Sequence, residues 1–103
     1  MLNFEINKEI VFSTSHISKE CREALVDASK GIYRDAESEL SVLEQFPIYK
    51  DEYSFRIYIF ETPESTEYPE LDKILKAAIE NECVWLRFDR DGPIYESFDV
   101  FEW

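Results

Sequence analysis

The sequence is short of the residues that usually announce a reaction. One histidine, two cysteines and two glycines stand among 103 residues. A single His leaves metal sites and histidine-based acid–base clusters without enough members. Cys21 and Cys83 are isolated, with neither metal-ligand spacing nor a disulfide framework, and fit a reduced cytoplasmic protein. No metal and no cofactor is expected. Two glycines are too few for a glycine-rich phosphate loop, and no Gly-x-Ser-x-Gly elbow is present. So few glycines, with only four prolines, also argue against a low-complexity or disordered chain. No apolar run approaches the ~20 residues of a membrane span. The first residues lack the basic start and apolar core of a signal peptide. No segment repeats and no boundary is visible, so residues 1–103 are read as one domain.

Positive charge is scarce too. Eleven Lys and Arg face twenty-three Asp and Glu, a formal net charge of −12. Such a field repels nucleic acid and anionic membranes and attracts basic protein surfaces. The plainer use of the same charge is solubility. The acids gather at Asp35, Glu37, Glu39, Glu44, Asp51, Glu52, Glu61, Glu64, Glu67, Glu70 and Asp72, with Lys50 and Arg56 against them in that span.

What is abundant is apolar and aromatic surface, at 45% and 16% of residues, enough for one core without staples. The alternation of Phe4 and Ile6 and the run Ile10-Val11-Phe12 predict a first strand within residues 4–12. The polar stretch Ser13-Thr14-Ser15-His16-Ile17-Ser18 follows, with Ser18 as helix N-cap and Ile17 as a staple. Cys21, Ala24, Leu25 and Ala28 then mark a helix over 19–30. Ala36, Leu40 and Leu43 suggest a short second helix over 35–45, ended by Phe46-Pro47. Phe55, Ile57 and Ile59, alternating with Arg56, Tyr58 and Phe60, predict a strand over 54–61 that is covered on both sides. Pro69 opens a helix whose stripe is Leu71, Ile74, Leu75, Ala78 and Ile79, with Asn81 as C-cap.

Residues 83–103 read as a hairpin. Val84, Leu86 and Phe88 point one way and Trp85 and Arg87 the other. Asp91-Gly92 supplies the turn signal, with Gly92 free to take positive φ. Tyr95 to Trp103 is rich in strand formers and predicts the returning strand. The whole reads as an α+β fold: a small, mixed, helix-covered sheet in the order β-α-(α)-β-α-β-β, closed by the C-terminal hairpin.

The stretch Trp85-Leu86-Arg87-Phe88-Asp89-Arg90-Asp91-Gly92-Pro93, with the terminal Phe101-Glu102-Trp103, resembles the C-terminal signature of a small bacterial domain family of unknown function. Members of that family are met on chromosomes and on mobile elements. They also carry an early Phe-Ser-Thr-x-His segment, matched by Phe12-Ser13-Thr14-Ser15-His16. Residues 32–53 look like a divergent or longer insert. The resemblance implies a shared fold and no particular reaction.

Three functions fit these readings. The first is a non-catalytic binding module that docks a basic protein surface, such as that of a nucleic-acid-binding enzyme, as an inhibitor or a DNA-mimic-like protein of a mobile element. Its contact residues would be Asp51, Glu52, Glu61, Glu64 and Glu67, with Asp89, Asp91 and Trp103 as a second patch. The Asp89-Arg90-Asp91 triplet also reads simply as a solvated turn. The second is a structural subunit, monomer or homodimer, pairing through the C-terminal edge strand. The third is an enzyme using a polar pocket of Ser13, Thr14, Ser15 and His16. Adjacent hydroxyls at a strand-to-helix turn are better explained as caps, and spacing identifies no orienting acid. The expectation is therefore a protein that is not an enzyme, touches neither nucleic acid nor membrane directly, and works by binding.

Overall fold

Trp85-Leu86-Arg87-Phe88-Asp89 forms the central strand of the protein because both of its edges find partners. The computed structural model describes residues 4–30, 47–59, 66 and 68–102. Within them, β1 spans Glu9–Ser13, α1 Lys19–Ser29, β2 Ile48–Lys50, β3 Ser54–Tyr58, α2 Pro69–Glu80 and β4 Trp85–Asp89. The sheet order is β1-β4-β3-β2. β1 runs parallel to β4, with Phe12 level with Phe88, while β3 is antiparallel to β4 and β2 to β3. The fold is α+β with a small mixed sheet, as the sequence indicates.

Alternation sorts the two faces. Phe12, Phe55, Ile57, Leu86 and Phe88 point inward and are buried against Cys21, Ala24 and Leu25 of α1 and Leu71, Ile74, Leu75 and Ala78 of α2. Each fully buried Leu, Ile or Phe contributes about 1.5–3 kcal/mol. The opposite face carries Glu9, Val11, Arg56, Tyr58, Trp85 and Arg87, none of them buried. β3 is therefore covered on one side rather than two. Its outward positions are Arg56 and Tyr58, which can stay wet.

The helix ends follow local chemistry. Ser18 caps α1, its hydroxyl accepting from the Cys21 N–H at 3.1 Å, and Ile17 beside it is fully buried. α2 begins at Pro69, where a missing N–H costs nothing. It ends in a Schellman turn: the Cys83 N–H donates to the Ala78 carbonyl at 2.9 Å and the Glu82 N–H to Ile79 at 3.0 Å. The two helices are tied by the Ser18 N–H, which donates to the Glu70 carboxylate at 3.1 Å.

Three expectations are corrected. Residues 4–8 form no strand, and Phe4 and Ile6 are exposed, so β1 begins at Glu9. Residues 94–102 form no strand either, so the C-terminal hairpin is absent. β1 and β3 already occupy both edges of β4, which leaves a strand returning from β4 no free edge of it to form a hairpin on. There is consequently no C-terminal edge strand through which a homodimer could pair. Instead residues 93–102 strap across the outer edge of β1. Gly92 also differs from its sequence reading. Its backbone is not left-handed; it is a glycine because a Cβ there would lie 2.9 Å from the Phe12 carbonyl oxygen. The second helix expected over 35–45 lies outside the described residues.

Candidate functional site

Two tight turns meet at one end of the sheet. In the β2–β3 turn the Asp51 N–H donates to the Ser54 carbonyl at 2.8 Å, and the Glu52 N–H to Asp51 Oδ1 at 3.0 Å. After β4, the Asp91 N–H donates to Asp89 Oδ1 at 2.9 Å and the Gly92 N–H to the Asp89 carbonyl at 3.0 Å. The Arg90 N–H donates to the Tyr53 carbonyl at 3.0 Å and joins the turns directly. Asp51 and Glu52 thus share a surface with Asp89 and Asp91, which are almost forty positions away in sequence. Pairing of β3 with β4, Ser54 opposite Asp89, brings them together.

This end is not purely acidic. A cleft of about 290 Å³ between the turns and α1 is lined by Thr14, Arg22, Lys50, Tyr53 and Arg90 as well as by Asp51 and Glu52. The cations lie on rings: Arg90 sits 4.4 Å from the Tyr53 centroid, and Lys50 and Arg22 are 5.8 and 5.9 Å from that of Phe55. Lys50 Nζ also donates to the Asp51 carbonyl at 3.1 Å. Glu61, Glu64, Glu67 and Trp103 lie outside the described residues.

The Ser13–His16 stretch is built differently from a catalytic pair. Ser13 Oγ and Ser15 Oγ are 2.6 Å apart, and the Ser15 N–H donates back to Ser13 Oγ at 3.2 Å. His16 is 1% exposed and turns toward the C-terminal strap. The Tyr95 N–H donates to its Nε2 at 2.9 Å. Nε2 therefore carries no proton, and Nδ1–H donates to the Asp99 carbonyl at 2.7 Å. The ring also lies 5.6 Å from Phe12 and 6.0 Å from Phe98, both edge-on. Both nitrogens are committed to strap backbone, so no hydroxyl of the stretch has this imidazole as its base.

Burial explains the other nucleophile. It pushes the Cys21 thiol well up from its ordinary range, and the Glu70 and Asp72 carboxylates add to the effect. Such a thiol is a core residue.

The sheet face opposite α1 and α2 holds a constellation that sequence reasoning missed. Glu9 bridges two guanidinium groups: Oε2 is 2.8 Å from Arg56 Nη2 and Oε1 is 2.7 Å from Arg87 Nε. The second contact is an ion pair by distance, without hydrogen-bond alignment. Arg56 lies over the Trp85 ring at 4.1 Å, and Tyr58 and Tyr49 lean on the same ring at 5.0 and 6.0 Å. The signal was present in the alternation of strands 54–58 and 85–89, both of which place arginines and aromatics on one parity. It pointed to a site only once β1 supplied Glu9.

Among the described residues no helix is long and apolar enough to cross a membrane. A family profile described as "Family of unknown function (DUF5983) C-terminal domain" matches residues 9–103. No curated protein and no solved structure matches the chain.

Proposed function

The chain belongs to this DUF5983 family, whose membership assigns no activity, and from its surface we propose that the protein works by binding a basic protein rather than by catalysis. The observation that carries this reading is the hydrogen bond from Arg90 N–H to the Tyr53 carbonyl. It fuses two acidic turns into one surface bearing Asp51, Glu52, Asp89 and Asp91. Tyr53, half exposed and backed by Arg90, offers the aromatic anchor that protein interfaces favour. The neighbouring cations rest on aromatic rings, and Lys50 also bonds a carbonyl, so they compete only weakly with an incoming Lys or Arg for the carboxylates.

The narrower form of the proposal is an inhibitor or DNA-mimic-like protein of a bacterial mobile element, aimed at a nucleic-acid-binding enzyme. The local acidic patch supports docking of one basic site better than imitation of a long duplex. Duplex DNA presents a charge every ~1.7 Å along its axis, and here basic side chains interrupt the acids.

The test compares the natural protein with an Asp51→Asn, Glu52→Gln, Asp89→Asn, Asp91→Asn variant as baits in cell lysate. Asn keeps the side-chain oxygen that each turn needs, so the fold is retained. The expected result is a partner held by the natural protein at ~0.1 M salt and released at ~0.5 M, where the Debye length shrinks from about 10 to about 4 Å. The fourfold variant should fail to hold it at either salt. Equal capture by both proteins, or capture that ignores salt, overturns the reading.

A further inference from the structure

We propose that the strap of residues 93–102 is an acid-released latch, and that the imidazole of His16 is its catch. The strap is lightly anchored. It forms no strand or helix, none of its residues is buried, and only Phe98 and Phe101 are even half-buried. Its two ends are tied by backbone: the Ser13 N–H donates to the Pro93 carbonyl and the Phe101 N–H to the Ser15 carbonyl, both at 2.8 Å. Between them His16 supplies two ties, accepting from the Tyr95 N–H at Nε2 and donating from Nδ1 to the Asp99 carbonyl. A segment with so little buried apolar surface is of the kind that opens locally, ahead of the core.

The catch holds only while the ring is neutral. One nitrogen of a neutral imidazole donates and the other accepts, whereas both donate in the cation. A proton on Nε2 would face the Tyr95 N–H, donor against donor. It would also put a charge on a side chain that is 1% exposed. Rings replace water there: Phe12 of β1 at 5.6 Å, and Tyr95 and Phe98 of the strap at 6.0 Å each. Of the charged groups on the elements around them, Lys73 of α2 lies 4.9 Å from the Phe98 ring and is itself a cation. Glu70 of α2 accepts from the Ser18 N–H. Glu96 and Asp99 are exposed on the strap, and Asp99 gives the ring its carbonyl. No carboxylate among the described residues forms an ion pair with the imidazole. A buried, unpaired charge is costly, and opening the strap removes the cost by letting water in. The open state therefore binds one proton more than the closed one, and acid favours it. A solvated imidazole gains its proton near pH ~6.5. The latch is complete above that pH and weakens below it, by up to about tenfold per unit. Opening uncovers the Phe12 ring and the outer edge of β1 at Val11 and Ser13. The helices, β3 and β4 are held by the buried core and stay folded.

The test is amide hydrogen exchange of the full chain, followed residue by residue by NMR at pH ~7.5 and pH ~5.0 and corrected for the intrinsic rate at each pH. Opening at the Tyr95 and Phe101 amides should rise about thirtyfold over that interval, while Leu86 and Phe88 in β4 keep their protection. His16 is the one histidine of the chain, so its ring signals report its proton directly, and their midpoint should coincide with that of opening. His16→Gln keeps one donor and one acceptor at this place and takes no proton, so its strap should open equally at both pH values. No rise at Tyr95 and Phe101 in the natural protein overturns the latch. A rise shared by Leu86 and Phe88 overturns it as well, because the whole molecule is then opening. A rise that persists in His16→Gln assigns the effect to another group. Should that variant fail to fold, a ring titration in the natural protein that does not track opening has the same meaning. His16 and the strap are untouched in the fourfold acidic-turn variant, so neither outcome depends on the basic-partner reading.

Discussion

Gly92 shows how one atom can be decisive. Its Cα passes so close to β1 that an added Cβ would meet the Phe12 carbonyl oxygen at 2.9 Å and its carbon at 3.0 Å. Both atoms are backbone in a paired strand and cannot turn aside. Gly92→Ala should therefore destabilise the protein by about 1–3 kcal/mol, the usual cost of overpacking, read as a lower urea midpoint at unchanged slope. An unchanged midpoint would mean the turn moves freely. Glu82 is the reverse case. It holds φ = 58° at the C′ position of α2, where glycine is at ease and a side chain is not. Glu82→Gly should raise stability by about 0.5–1 kcal/mol in the same assay, and a fall would show that its side chain matters more than its backbone. Neither position could be recognised from its neighbours in sequence. Asp-Gly suggested a hairpin turn, and nothing marked Glu82 as left-handed.

At the scale of elements, the strap of residues 93–102 has most to explain. β4 bonds β1 through the even positions, as the Trp85 N–H to Lys8 carbonyl bond at 3.1 Å shows. The odd positions of β1 therefore face away from the sheet. The strap meets them: Ser13 N–H donates to the Pro93 carbonyl at 2.8 Å, and Tyr95 Oη to the Val11 carbonyl at 2.8 Å. The Phe101 N–H reaches the Ser15 carbonyl at 2.8 Å, and Lys73 Nζ reaches that of Ser97 at 2.6 Å. An exposed edge strand is a template for pairing with another chain; here loop backbone and one phenol close it. Ending the chain after Pro93 should free that edge and uncover Phe12 and His16. The truncated protein is expected to sediment as concentration-dependent oligomers beside the natural one. If it stays in the same state and keeps its melting temperature, the strap is dispensable. The two helices, by contrast, were legible almost to the residue, because a cap and a stripe are local signals. The strap was misread as a strand because its composition is strand-like, while the partner it needed was already taken.

At the scale of the whole molecule, burial of one thiol between the packed elements gives a dependence on pH. The Cys21 thiol lies between the helices with its folded pKa raised above the ordinary 9.0 by burial and by Glu70 and Asp72. When pH passes that ordinary value, the unfolded chain loses its proton first and then binds fewer protons than the folded one. The contribution is complete below pH 9.0 and declines as pH rises beyond it. Relative to Cys21→Ala, the natural protein should lose stability at up to about 1.4 kcal/mol per pH unit in chemical denaturation above that point. Parallel pH profiles for the two proteins would show the thiol to be accessible.

The sequence by itself determined the class of fold, the two helices with their ends, the inward residues of β4, and the strong negative charge. All of these rest on periodicity, capping and composition, which act over a few residues. Only the tertiary structure decided which charges meet. Pairing of β3 with β4 joined the turns at Asp51 and Asp89, and the parallel pairing of β1 with β4 set Glu9 between Arg56 and Arg87. The same packing put His16 under the strap, its two nitrogens bound to Tyr95 and Asp99. Such neighbours are separated by tens of residues. Their contact depends on strand order and register, and those are settled by how the whole chain buries its apolar faces at once.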